Sequence, residues 1–185
     1  MSGSQPWQRT EGVIARGPEI VIVEYDPQWP ARYASERDSI VAATDELFVE
    51  FAHVGSTAVP GLAGKPVIDL LGAVGTLDAV EPHLEELARL GYVRLPFLPG
   101  RMFFLKRGII ESYNIHVVPQ ADFPNNPQLL FRDYLRRHPE VRDEYQRLKC
   151  EVVGRIAKYQ EYMPAKAAFI ERVLAQARAE PAGSF

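Results

Sequence analysis

The residues best equipped for chemistry lie between positions 53 and 69. They read His53-Val54-Gly55-Ser56-Thr57, a turn-rich stretch to Gly64, then Lys65-Pro66 and an apolar run interrupted by Asp69. Glycine at 55 lets a phosphate oxygen come close to the backbone, because no Cβ stands in the way. Ser56 and Thr57 add hydroxyl donors, and the N–H groups of such a turn can form a concave anion site. Lys65 supplies a cation at the same rim. Asp69 stands among Val, Ile and Leu, where an ionised carboxylate is costly unless a metal, a lysine or backbone donors compensate it. Both features also have plainer readings: a surface turn with capping hydroxyls, and a structural carboxylate bonded to the loop.

Two further clusters could serve such a site. Asn114 and His116 are two residues apart in Ser112–Val118, so on a strand they face the same way while Ile115 and Val117 face the core. The pair could meet a base, a phosphate or a metal, and His53, His116 and Asp69 together have the donor types of a His/His/carboxylate site. Arg101 and Lys106, on the preceding strand candidate, offer charge. Arg132 and Arg136 are spaced i,i+4 on a helix and could clamp one anion, or form ordinary helix salt bridges with Asp133. Tyr145 and Lys149 repeat that spacing on the next helix.

The elements that must position these residues can be read from pattern. Residues 1–18 have little apolar period and suggest a loose N-terminal arm, followed by a single domain over 19–180. Glu19–Tyr25 is β-branched and reads as a strand, and Asp26-Pro27 opens a helix to about Leu47 with Trp29, Tyr33, Ile40, Val41 and Leu47 inward. Strands are expected at 48–54, 67–74, 92–95, 101–107 and 112–118. Residues 67–74 are apolar enough to be buried on both faces. Helices are expected at 78–90, with Pro82 in its first turn or resetting its start, and at 126–138, 140–158 and 162–179. The order implies an α/β (α+β) fold: one mixed β-sheet with flanking helices and a C-terminal helical segment.

Composition narrows the class. A net charge of −3 argues against nucleic-acid binding through bulk charge. Residues 129–172 nevertheless carry 10 Lys+Arg against 7 Asp+Glu, while residues 1–128 carry 10 against 16, so a local anion site is open to the C-terminal third. A single cysteine, Cys150, excludes a disulfide scaffold and a cysteine-based zinc cluster. No stretch approaches the roughly 18 apolar residues of a membrane span, and the first residues lack a signal-peptide core, so a cytoplasmic protein is expected.

The run from His53 to Leu70, with Tyr25-Asp-Pro-Gln-Trp29, Asn114-Ile-His116, Phe131-Arg-Asp-Tyr-Leu-Arg136, Tyr145-Gln-Arg-Leu-Lys149 and Lys166-Ala-Ala-Phe169, resembles the GrpB-like proteins. The resemblance spans about residues 19–175. It implies a nucleotidyltransferase-like fold, in which a Gly-Ser turn holds a triphosphate and two acids, two apart on the next strand, bind divalent metal. Gly55 and Ser56 match the turn and Asp69 matches one acid, with His116 as a companion; Mg²⁺ or Mn²⁺ would be the metal. The second acid would fall on Val67 or Leu71, neither of which can ligate. Many relatives carry a second His where this chain has Asn114.

Three functions follow. The first is transfer of a nucleotidyl or phosphoryl group to a small acceptor, with Asp69 and His116 catalytic. His53, Gly55, Ser56, Thr57, Lys65, Arg101, Lys106, Asn114, Arg132, Arg136, Tyr145 and Lys149 would then bind substrate. The second is a nucleotide- or phosphometabolite-binding module without chemistry. The third, suggested by relatives fused to dephospho-CoA kinase, is an interaction domain assisting a partner enzyme.

Overall fold

A computed structural model of the chain describes residues 12–96, 99–108 and 112–180; positions 1–11 of the expected arm lie outside them. The central sheet has five strands: β3 (Phe48–Val54), β4 (Val67–Val74), β5 (Val93–Arg94), β6 (Met102–Arg107) and β7 (Ser112–Pro119), in the spatial order β3-β4-β7-β6-β5. β4 and β7 run parallel, and the other neighbours are antiparallel. The sheet is therefore mixed, as the element order implies.

β4 is suited by composition to its interior place beside β7. Its buried Ile68 and Leu70 join Phe104, Ile115 and Val117 on one face, beneath Trp29 and Ile40 of α1 (Trp29–Thr44) and Leu87 of α2 (Leu84–Arg89). Leu71 and Ala73, on the alternate face, pack with Val118, Phe123 and Leu129, the last from α3 (Pro127–Arg137). α3, α4 (Pro139–Arg155) and α5 (Ala167–Ala179) form a helical layer around Leu62, Tyr134, Leu135, Tyr145 and Val173. Each aliphatic side chain buried in these clusters contributes about 1.5–3 kcal/mol.

Several elements differ from expectation. Val13–Arg16 (β1), placed in a loose arm by sequence, pairs with β2 (Val21–Val23) in a separate two-stranded ribbon, so the first predicted strand is not in the main sheet. The ribbon is tied to the loop before β4 by reciprocal backbone hydrogen bonds between Val23 and Gly64. α1 starts at Trp29, two residues beyond Pro27, where the Asp26 carboxylate accepts from the Gln28 N–H at 2.9 Å. Val41, expected inward, is exposed, and Glu36 and Thr44 take buried positions on α1. The predicted 78–90 helix is a 3-10 turn at Leu77–His83 that restarts as α2, because Pro82 has no N–H to continue the ladder. Pro164 has a similar effect near the C-terminus: Tyr159–Glu161 and Pro164–Lys166 are 3-10 turns, and the regular helix begins only at Ala167.

Candidate functional site

β4 and β7 build the site by register. Asp69 lies opposite Asn114, Leu71 opposite His116, and Phe103 of β6 opposite His116. Asp69, Asn114, His116 and Phe103 consequently share the sheet face turned away from α1. The Asn114 amide donates to Asp69 Oδ1 at 2.7 Å, and His116 Nε2 is 3.5 Å from the same oxygen. Burial raises the Asp69 pKa, but the adjacent His116 and the Asn114 hydrogen bond outweigh it and hold the carboxyl below its usual range. His116 packs its ring against Phe103, with centroids 4.8 Å apart, and its buried Nδ1 has no hydrogen-bond partner.

The loop from Gly55 to Pro66 closes over this carboxylate. Gly55 has φ +75°, and a Cβ there would collide with Asp69 Oδ2, so glycine is required both by conformation and by contact. Ser56 follows in a short 3-10 turn, and a Cβ on Gly64 would lie 2.8 Å from the Ser56 Cβ, so the returning chain passes close beneath it.

Three lysines converge here. Lys149, from α4 and only 1% exposed, donates to Ser56 Oγ at 3.1 Å and to the Ala63 carbonyl. Lys65 donates to the Tyr159 hydroxyl at 3.0 Å. Lys166, 5% exposed, sits 3.8 Å from the Tyr162 ring centroid and 3.5 Å from the Tyr145 hydroxyl. Among the described residues, Lys106 has a carboxylate ion-pair partner and these three lysines have none. Burial and the charge of Lys166 push the Lys149 amine well below its ordinary pKa. Burial and then Lys65 lower Lys166 to about 7, with Asp69 opposing.

Together these residues line an open cleft of about 330 Å³. Gly55, Ser56, Lys65, Asp69, Asn114, His116 and Tyr145, named from sequence, all lie on its wall. Lys149 sits just behind Ser56. Sequence reasoning missed Lys166, Tyr162, Phe103, Phe131 and Ile170, which also line the wall. Lys166 had a signal: the stretch bearing it is part of the resemblance.

The remaining candidates are placed elsewhere. His53 and Thr57 are buried. The Thr57 hydroxyl donates to the Val67 carbonyl, leaving the His53 Nε2–H to donate to Thr57 Oγ1 at 2.9 Å. His53 also stacks on Tyr33 with centroids 4.7 Å apart, and burial lowers its pKa to about 4, so it is neutral. Arg132 and Arg136 clamp carbonyls rather than a shared anion: Arg132 donates to His53 O at 2.9 Å and Arg136 to Ala58 O at 2.6 and 3.0 Å. With Arg142 on Pro60 O and Gln146 accepting from Ala63 N–H, they make α3 and α4 the frame of the loop. Lys106 is on the other side of the sheet, paired with Glu36 at 2.7 Å. Arg101 lines a separate cleft of about 160 Å³ with Asp78, Glu81 and Arg94, which shares only Phe103 with the first.

The metal centre implied by the resemblance does not fit these donors. Among the described residues Asp69 is the sole carboxylate on the cleft wall, with Oδ1 engaged by Asn114 and Oδ2 covered by Gly55. Val67 and Leu71 flank it on its own strand face, and His53 points into the loop packing rather than at Asp69 and His116. Among the described residues no group of three His, Cys, Asp or Glu could hold a metal ion. No helix among them is long and apolar enough to cross a membrane.

The sequence model for the family described as GrpB protein matches residues 19–176. The UPF0157 protein BH1888 of Halalkalibacterium halodurans is 32% identical over 165 residues, covering 86% of this chain and 83% of that one. The UPF0157 protein YqkA of Bacillus subtilis is 30% identical over 138 residues, and a dephospho-CoA kinase of Mycolicibacterium paratuberculosis 30% over 163; each match covers 74% of this chain. The chain spans only 40% of the length of each of those two proteins. Among solved structures, the GrpB protein of Enterococcus faecalis superimposes with a TM-score of 0.77 at 30% identity, covering 84% of this chain and 96% of that one. The Cid1 poly(U) polymerase bound to Mg and 3′-dATP reaches a TM-score of 0.50 at 12% identity over 68% of this chain and 41% of that one, a likeness of fold alone.

Proposed function

Because the chain belongs to the GrpB family and has a nucleotidyltransferase-like fold, we propose that it binds a nucleotide or another phosphorylated small molecule in the Gly55–Ser56 cleft. The observation that carries this reading is the lysine cluster. Lys65 and Lys166 on the cleft wall and Lys149 behind Ser56 bring three amines together with no carboxylate ion-pair partner among the described residues, and a phosphate would pair with the charge they carry. Phe103, Phe131, Tyr162 and Ile170 give the remainder of the ligand an apolar and aromatic wall. Asp69 is ionised at neutral pH and orients His116 and Asn114, and its lowered pKa makes it a weak proton acceptor.

Binding should then be independent of divalent metal. The test is titration with nucleoside triphosphates and phosphorylated metabolites, with Mg²⁺ and with chelator. Equal affinity in both supports the reading, whereas strict metal dependence contradicts it.

A second reading is transfer of a nucleotidyl or phosphoryl group to a small acceptor. It is favoured by the 160 Å³ cleft that meets the first at Phe103 and has room for a small acceptor. Under that reading Asp69→Asn abolishes turnover while leaving nucleotide binding within about threefold of wild type, which corresponds to well under 1 kcal/mol. An unchanged turnover rate in the variant would remove Asp69 from the chemistry.

A further inference from the structure

The chain has sixteen arginines but only five lysines, and three of the five gather at this one cleft. Arginine remains protonated in proteins, whereas a lysine amine can shed its proton when buried. Lysine at these positions therefore permits something that positive charge alone does not require. Lys149 spends its Nζ on Ser56 and Ala63, and Lys65 on the Tyr159 hydroxyl. Lys166 lines the cleft with its long 3.5 Å contact to the Tyr145 hydroxyl and the face of Tyr162 beneath it.

We propose that Lys166 is a nucleophilic amine that captures the carbonyl carbon of a phosphorylated aldehyde held in the cleft, forming an imine. The proposal rests on the phosphate-binding reading above. Lys65 and Ser56 would hold the phosphate, and Phe131 and Ile170 would face the carbon skeleton. The groups facing the amine from the surrounding elements are Lys65 and Asp69 from the β4 side, Lys149 and Tyr145 from α4, and Tyr162 from the segment before α5. Burial and then the Lys65 charge favour its neutral form, and Asp69 opposes them. Near neutral pH about half of such an amine is unprotonated, against about one part in a thousand for an ordinary lysine.

The step balances without any redox partner. The nitrogen lone pair forms a C–N bond to the carbonyl carbon, and the C=O π pair moves to oxygen. That oxygen takes one proton from the nitrogen to give the carbinolamine, whose hydroxyl then leaves as water with the second nitrogen proton, leaving C=N. The Tyr145 hydroxyl, 3.5 Å from Nζ, is placed to pass that proton.

Pyridoxal 5′-phosphate is a suitable probe, with phosphate-free pyridoxal as its control. The full chain is incubated with each, reduced with borohydride, and mapped by peptide mass spectrometry. Lys166 should be labelled at least about tenfold faster than exposed Lys158, with a rate that inflects near pH 7. Inorganic phosphate should slow labelling by pyridoxal 5′-phosphate but not by pyridoxal. Labelling should vanish from that site in Lys166→Arg. Should the variant not fold, the pH profile of the wild-type chain still decides. Label spread evenly over the lysines, or a Lys166 rate that inflects only near pH 10, overturns the proposal. If phosphate still protects the cleft in that case, the binding reading stands alone. Lys166 labelling that is indifferent to phosphate and equal for both probes would instead keep a reactive amine but sink the phosphate site.

Discussion

Gly55 shows how one residue ties the loop to the carboxylate. Its φ of +75° and its proximity to Asp69 Oδ2 mean that alanine would suffer both backbone strain and a steric clash. Gly55→Ala should cost about 1–3 kcal/mol, read from the urea midpoint, and should weaken phosphate-ligand affinity at least as much as stability. Asp69 was legible in the sequence because a carboxylate in an apolar strand is conspicuous. Its partners were half legible: strand alternation puts Asn114 and His116 on one face, but only the parallel register of β7 on β4 brings them opposite Asp69 and Leu71. Lys166 was visible only as part of a resembling stretch, because its role depends on a turn that Pro164 sets up before α5.

At the scale of the element, the loop 55–66 is shaped less by its own sequence than by α3 and α4. Arg132 and Arg136 could be read as an anion clamp from their spacing; sequence does not reveal carbonyl acceptors, and the structure gives these guanidinium groups the carbonyls of His53 and Ala58. Arg132→Met should cost about 1.5–3 kcal/mol, the range for a hydrogen bond from a charged donor, and should weaken ligand binding without its touching ligand. His53 adds a pH dependence. Its folded-state pKa of about 4 lies below that of the unfolded chain, so the unfolded chain takes up the proton first. Stability should fall as pH drops from about 6.5 toward 4, by roughly 2 kcal/mol at pH 5 relative to pH 7. A His53→Gln variant unfolded in urea at both pH values should lose most of that difference; an unchanged difference would assign it to other groups.

At the scale of the molecule, strands and helices were readable where hydrophobic period was strong, as in β4, β7, α3 and α4. The reading failed where a long-range pairing decided: β2 joins β1 in a ribbon tied to Gly64 rather than extending the main sheet. The lysine cluster imposes a cost on the whole fold. Because Lys149 and Lys166 are held below their unfolded-state pKa, the unfolded chain binds more protons over the range from about 7 to 10.5. Stability should therefore rise with pH across that range, and a bound polyanion should flatten the rise. If the chain acted purely as an interaction domain, that pH slope would be blind to phosphate ligands.

The most direct measurement is the thermal shift of the full chain with nucleoside triphosphates and inorganic pyrophosphate, in chelator and in Mg²⁺. A ligand at about one hundred times its dissociation constant stabilises the fold by roughly 2.7 kcal/mol, a readily visible shift. The cleft chemistry predicts a shift of equal size with and without metal that disappears in a folded Lys65→Met, Lys166→Met variant. A shift that requires metal, or one that survives the loss of both lysines, would contradict it.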